Sequence, residues 1–259
     1  MLGLYDNPRT PDLELVNYTD YDDLPTAGYE YAQLNGVGVW RDDSIVGSPW
    51  VPMELDQWSK INSVHADTYV PGAPPSGWLE SINGGSITMV GGKIRIDSSA
   101  TANKWATLQT TIPPTPAWPA GHDLMLVARF LVVQGGTLDY VFVGLADTRA
   151  GATMYPKLSP RNAASTAGGL GKANSGVYSG ATIPAQTSLQ TYVLRLTGSG
   201  ADDLCFAYIL GQPNVRCGTV ASAYNYAAGG TYVVIPCTEL GGVRTILDVE
   251  FVALYSKAP

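Results

Sequence analysis

One stretch restricts the fold more than any other: residues 123–148, DLMLVARFLVVQGGTLDYVFVGLADT. Two apolar arms, 124–133 and 138–146, flank the turn signal Gln134-Gly135-Gly136. Each arm is rich in Val, Leu, Phe and Tyr and is too short for a buried helix of ordinary length. Glycine reaches positive φ without a Cβ clash, so Gly-Gly between two such runs predicts a tight β-hairpin. The arms are almost continuously apolar, which calls for cover on both faces, as in an inner strand of stacked sheets. The reading is a β-sandwich with this hairpin at its centre.

The remainder of the chain fits that reading. Glycine occurs 29 times and proline 18 times in 259 residues, punctuation that suits many short strands. Only 14% of residues are charged, so the surface relies on Gly, Ser, Thr, Asn and Ala. No run of about 18 apolar residues predicts a membrane-spanning helix. The first residues, MLGLYDNPRTPDLEL, show neither a basic nor an apolar leader region, so no secretory signal is expected. The expected place of assembly is the cytoplasm, which a virion component released by lysis also satisfies.

Charge divides the chain. Residues 1–58 hold 11 of the 22 acidic residues and only two basic ones, Arg9 and Arg41, a balance of −9. The remainder holds 11 acidic and 13 basic residues, a balance of +2. This break predicts an N-terminal arm and β-meander over 1–55, for docking or attachment, and a body over 56–259. No basic stripe is present to neutralise phosphates, so nucleic acid is not an expected partner. Residues 1–23 are aperiodic yet carry apolar side chains; Leu4, Tyr5, Leu13 and Leu15 are candidate anchors on another chain. Short runs at 29–34, 37–40 and 50–53, separated by Asn35-Gly36 and Asp42-Asp43-Ser44, predict the meander, with Trp40 and Trp50 as further docking candidates.

The order Leu24-Pro25, Gly28-Tyr29, Val39-Trp40, Gly47, Trp50-Val51 resembles a small motif common in tail fibre and other virion proteins of tailed bacteriophages. It covers about an eighth of the chain. The resemblance implies a structural virion protein: a tail fibre or spike, attached to other virion proteins through the N-terminal arm and assembled as a homotrimer.

From Trp58 onward strands are expected near 77–82, 86–90, 93–97, 105–111, 176–178, 189–196, 204–210, 215–220, 231–235 and 244–255, separated by Gly-rich turns. No amphipathic helix interrupts them, which argues for an all-β antiparallel sandwich or jelly roll. The final run, TILDVEFVALY, alternates and suits a strand in the middle of a sheet. In strand order and texture, through 140–147, 190–196 and 246–255, this part resembles the concanavalin A-like lectin and glucanase sandwich. Residues 148–188 break the spacing and are expected to make an excursion over one sandwich face, with at most one short strand.

The search for chemistry is mostly negative. Gly168–Lys172 (GGLGK) has the wrong spacing for a phosphate loop and leads into no helix. Asp248 and Glu250 share one strand face, as the carboxylates of a glycoside hydrolase would. Ile246 stands where such a strand would need a third acid, so a structural or solvent-facing pair is expected. His65 and His122 are the only histidines, and Cys205, Cys217 and Cys237 are not closely spaced, so neither zinc nor any cofactor is expected. Cys205 and Cys217 flank the 211–214 turn and could face each other across a hairpin. Asp202-Asp203 reads as a solvated turn before a calcium ligand. Trp58, Trp78 and Trp105 are expected to fill the sandwich.

Aromatic residues outside a core can stack on sugar rings. Trp118, in a proline-rich loop, and Tyr155 and Tyr178 in the 148–188 stretch are candidates. That stretch also carries Arg149, Lys157, Arg161 and Lys172 and no acid, a local basic surface suited to acidic sugars. The expected function is a non-enzymatic tail fibre or spike protein with a carbohydrate- or receptor-binding sandwich. The alternatives are a capsid decoration protein and a polysaccharide depolymerase.

Overall fold

The structure is a computed structural model that describes residues 16–26, 31–41, 49–52, 58–110, 122–134, 143–146, 154–159, 168–171, 178–183, 185–196, 203–212, 216–222, 232–238 and 243–258. Strands β1 (Asn17–Tyr18), β2 (Tyr31–Leu34), β3 (Val37–Trp40) and β4 (Val51–Pro52) form a small sheet in that order. Asn35 (φ 49) and Gly36 (φ 80) supply the two left-handed residues of its central hairpin, in which Leu34 pairs with Val37. Next come β5 (Ser59–His65), β6 (Trp78–Asn83), β7 (Ser86–Val90), β8 (Lys93–Asp97), β9 (Trp105–Thr110) and β10 (Asp123–Gln134). They are followed by β11 (Val143–Ala146), β12 (Met154–Ser159), β13 (Gly168–Gly171), β14 (Tyr178–Ile183) and β15 (Gln190–Leu196). The chain ends with β16 (Asp203–Ile209), β17 (Arg216–Ser222), β18 (Tyr232–Thr238) and β19 (Ile246–Lys257).

Two large antiparallel sheets face each other. One runs β17-β16-β15-β10-β19-β8-β7, with β5 beside the second half of β19. The other runs β14-β13-β12-β11-β18-β9-β6. Between them lies an apolar cluster that includes Ile94, Ile96, Leu108, Leu126, Phe130, Tyr192, Leu194, Ile235, Leu247 and Leu254. As its alternation predicts, β19 lies in the middle of its sheet, between β10 and β8.

The central hairpin does not form. The arm ending at Val133 belongs to β10 in the eight-stranded sheet, whereas Val143–Ala146 is β11 in the seven-stranded sheet. The two arms are bound by β15 and β19 on one side and by β12 and β18 on the other. The double-sided cover expected of β10 is present, but its source is different. Leu124, Leu126, Ala128, Phe130 and Val132 enter the sandwich core. Met125 and Val127, on the opposite face, join Leu24, Leu34, Val39, Trp50 and Val51 in a second apolar cluster with Phe251, Ala253 and Tyr255. The small sheet is therefore a third layer on the outer face of the eight-stranded sheet. Each large side chain buried there contributes about 1.5–3 kcal/mol.

Further expectations change with the register. Residues 148–188 supply three strands, β12, β13 and β14, that complete the seven-stranded sheet rather than cross over it. Cys205 pairs with Val220, three positions from Cys217, which is about 10 Å along a strand. A disulfide needs its Cα atoms within about 7 Å, so these two do not face each other for bonding. Cys237 is a free, fully buried thiol. Trp78 fills the sandwich as expected, donating from its indole to Asn62 Oδ1 (3.0 Å) and Ser63 O (2.9 Å). Trp58 instead belongs to the third layer, and Trp105 is half-buried. Where pairing of β10 with β15 ends, buried Gln186 takes over, accepting from Val132 N–H (2.7 Å) and donating to Phe130 O (2.9 Å).

Candidate ligand-binding face

The seven-stranded sheet has one face in the core and one turned away from it. Val143, Val233 and Ile235 are core residues, and Val143 lies opposite Leu158, itself opposite Leu170. Opposite positions share a face, and adjacent positions alternate. The outer face is thus traced by a second row: Leu79–Gln109–Val234–Gly144–Lys157–Gly171–Tyr178, each paired with the next. At about 4.8 Å per strand, this row spans roughly 29 Å. Beside it runs Ser159–Gly169–Thr182. Along this row Leu79, at the β6 end, is 39% exposed, whereas Gln109 is 5% exposed and Gly144 is buried.

Two of the residues singled out from sequence meet here. Lys157 and Tyr178 occupy one row, with Gly171 between them. Tyr155 falls within a register shift, because Met154 pairs with Ala146 and Lys157 with Gly144. Trp118, Arg149, Arg161 and Lys172 lie outside the described residues, as do Leu4, Tyr5, Leu13 and Leu15. Of the docking candidates, Trp40 is half-buried against the third layer. Trp50 is 4% exposed, donates to Pro25 O (3.1 Å) and lies under the Arg41 guanidinium (4.9 Å), so its surface is spent within the chain. Sequence reasoning did not place Gly144 or Gly171 in this row; the signal available was glycine inside a strand run.

The outer face of the eight-stranded sheet beside the third layer is ion-paired instead. Arg95 grips Asp248 with two 2.7 Å hydrogen bonds, from Nε to Oδ1 and from Nη2 to Oδ2. Glu250 accepts from Lys93 Nζ at 3.0 Å and Arg129 Nε at 3.3 Å. Both Asp248 and Glu250 are therefore held by cations. Arg244 clasps Asp97 and holds its carboxyl below the usual range. His65 stacks on Phe251 at 5.8 Å, and burial, aided by Lys60, pushes its pKa down to about 4. Among the described residues no group of three His, Cys, Asp or Glu side chains is placed to hold a metal ion. The Gly168–Gly171 segment is strand β13, not the approach to a helix N-terminus, so it is no phosphate cradle.

No protein-family model matches the sequence, and no curated protein matches it. Solved structures do. A seed lectin of Lotus tetragonolobus superposes with a TM-score of 0.53 at 11% identity, the match covering 78% of this chain and 99% of that one. Peanut lectin in complex with a peptide gives a TM-score of 0.52 at 12% identity, covering 77% of this chain and 98% of that one. The fold is a concanavalin A-like lectin sandwich. The carbohydrate recognition domain of Emp46p is similar to it as well, with a TM-score of 0.51 at 12% identity over 76% of this chain and 97% of that one. At such identities the likeness is one of fold, and a lectin sandwich can carry many functions.

Proposed function

We propose that this chain is a non-enzymatic structural protein of a tailed-phage particle, a tail fibre or spike component whose sandwich binds carbohydrate or a host receptor. One observation carries the binding half of this reading: the strand register sets Lys157 and Tyr178 in a single row of the outer sheet face. Lysine brings a charge for acidic sugars, and tyrosine an aromatic ring for stacking. Similarity to lectins in fold supports the same choice. The virion half rests on the phage-like motif of residues 24–51. In this reading residues 1–55 attach the protein to other virion proteins, and the assembled form is a homotrimer in the particle.

A depolymerase is the less supported reading, because Asp248 and Glu250 are both engaged by cations. The test uses the full chain on an array of bacterial surface glycans, followed by competition with phage adsorption to host cells. Glycan binding with reduced adsorption is expected. Binding to no glycan, with adsorption unchanged, overturns the reading.

A further inference from the structure

Asn-Gly occurs twice in the chain, at Asn35-Gly36 and at Asn83-Gly84. Without a side chain on the second residue, its backbone nitrogen can approach the asparagine amide, so each pair is chemically able to deamidate. The structure treats the two pairs differently. Asn35-Gly36 is clasped by the segment around β1. Asn35 N–H donates to Tyr18 O (2.7 Å), Asn35 Nδ2 to Thr19 O (3.0 Å) and Gly36 N–H to Asn17 Oδ1 (2.8 Å). The side-chain amide and the glycine nitrogen, the two groups that would react, are each held by a neighbouring strand. Asn83 is exposed and ends β6, the last strand of its sheet. Its Nδ2 reaches Asn103 O at 3.4 Å, a weak bond. Gly84 is exposed as well, with φ at 71°. Strand ends open locally more readily than strand interiors.

We propose that Asn83 is a site of irreversible covalent modification, whereas Asn35 is shielded by β1. The Gly84 nitrogen attacks Asn83 Cγ. As the N–Cγ bond forms, the Cγ–Nδ2 bond breaks and ammonia leaves with the amide proton, giving a succinimide. Water then opens either carbonyl of the ring, to aspartate or to isoaspartate. The product adds one negative charge to a chain of net charge −7. That charge arises beside Lys104, whose Cδ and Cε lie 2.5 and 2.9 Å from where a Cβ on Gly84 would stand. Isoaspartate also lengthens the main chain by one methylene, two residues before Gly85. There a Cβ would stand 2.4 Å from Asp97 O and 2.8 Å from Trp105 O, so the backbone has no slack. Aspartate fits this connection, and isoaspartate strains it.

The experiment incubates the full chain in warm, mildly alkaline buffer, with and without urea, and follows both sites by peptide mass spectrometry and enzymatic isoaspartate labelling. In the native chain Asn83 should convert, and Asn35 at least about tenfold more slowly, since it waits on local opening. In urea the two rates should converge. Asn17→Ala should raise the native rate at Asn35 and leave Asn83 unchanged; should it unfold the small sheet, the native and urea rates of the parent chain decide. Asn83→Gln should abolish the labelling at this position. Asn83→Asp should melt as the parent does, and the isoaspartate fraction below it. Equal melting of that fraction overturns the strain assigned to the β6–β7 connection. Asn35 converting as fast as Asn83 in the native chain, or Asn83 converting in urea alone, overturns the proposal.

Discussion

Arg129 and Asp22 form an ion pair across 107 positions of sequence, joining a guanidinium that is 2% exposed to a carboxylate that is 74% exposed. Arg129 rises from the outer face of β10, and Asp22 sits in a short 3-10 turn at residues Tyr21–Asp23. The Tyr21 ring covers the guanidinium at 3.8 Å, and Glu250 accepts from its Nε. The N-terminal segment is thus tied to the sheet by a buried charge whose counter-charges are drawn from two layers. An isolated buried cation is costly, and the cost appears when its partners are removed.

Asp22→Asn alone should lower stability by about 1 kcal/mol, since Glu250 still faces the guanidinium. Asp22→Asn combined with Glu250→Gln should cost about 3 kcal/mol or more, beyond the sum of the single changes. Urea unfolding of the four chains measures this. Simple additivity would show that the two acids act independently of Arg129.

Deleting residues 1–55 removes Leu24, Leu34, Val39, Trp50 and Val51 and uncovers Met125, Val127, Phe251, Ala253 and Tyr255. A contiguous apolar face of this kind drives association. The chain 56–259 should therefore bind a hydrophobic dye and self-associate, whereas 16–259 should melt as the full chain does. Equal melting of 56–259 and the full chain would show that the third layer adds little.

How much of this was legible follows from which signals are local. Asn35-Gly36 and Gly91-Gly92 specify two-residue turns by backbone preference alone, and both occur, with Val90 pairing to Lys93 across the second. Gly135-Gly136 carries the same signal, but the strand after it joins the other sheet. That choice depends on what covers the second face of β10, and the cover comes from residues about a hundred positions earlier. Of the three strands within 148–188, β13 and β14 are hidden by glycines and β12 by Pro156, residues of low strand propensity. Lys157 and Tyr178 stood out by residue type, but only long-range register shows that they share a row.

Acid should destabilise the protein through His65. Burial holds its pKa at about 4, below an unfolded value of about 6.5, so between these limits the unfolded chain binds more protons. Stability therefore falls as pH drops from about 6.5 to 4, by roughly 3 kcal/mol for this group. Asp97, held low by Arg244, adds a further loss once pH falls below the ordinary carboxylate range. His65→Phe should flatten the first segment and keep the second. Urea midpoints from pH 7 to 3 decide it; an unchanged slope in that variant would assign the acid sensitivity elsewhere.

Asp248 and Glu250 offer the sharpest separation between a structural and a chemical role. Asp248 is nearly buried beneath Arg95, and Glu250 is shared by Lys93 and Arg129, so neither is placed as an unencumbered nucleophile or proton donor. Asp248→Asn should cost about 1–2 kcal/mol of stability, because a charge-assisted two-bond contact becomes a weaker one. Glu250→Gln should cost less while Asp22 remains to face Arg129. Neither change should alter glycan binding, since both acids belong to the eight-stranded sheet and the Lys157 row to the other. Reducing-end assays on bacterial polysaccharides should give the same background for all three proteins. A turnover that falls more than about tenfold in either variant, with melting and glycan binding preserved, would place at least 1.4 kcal/mol of transition-state stabilisation on that carboxylate and make the protein an enzyme.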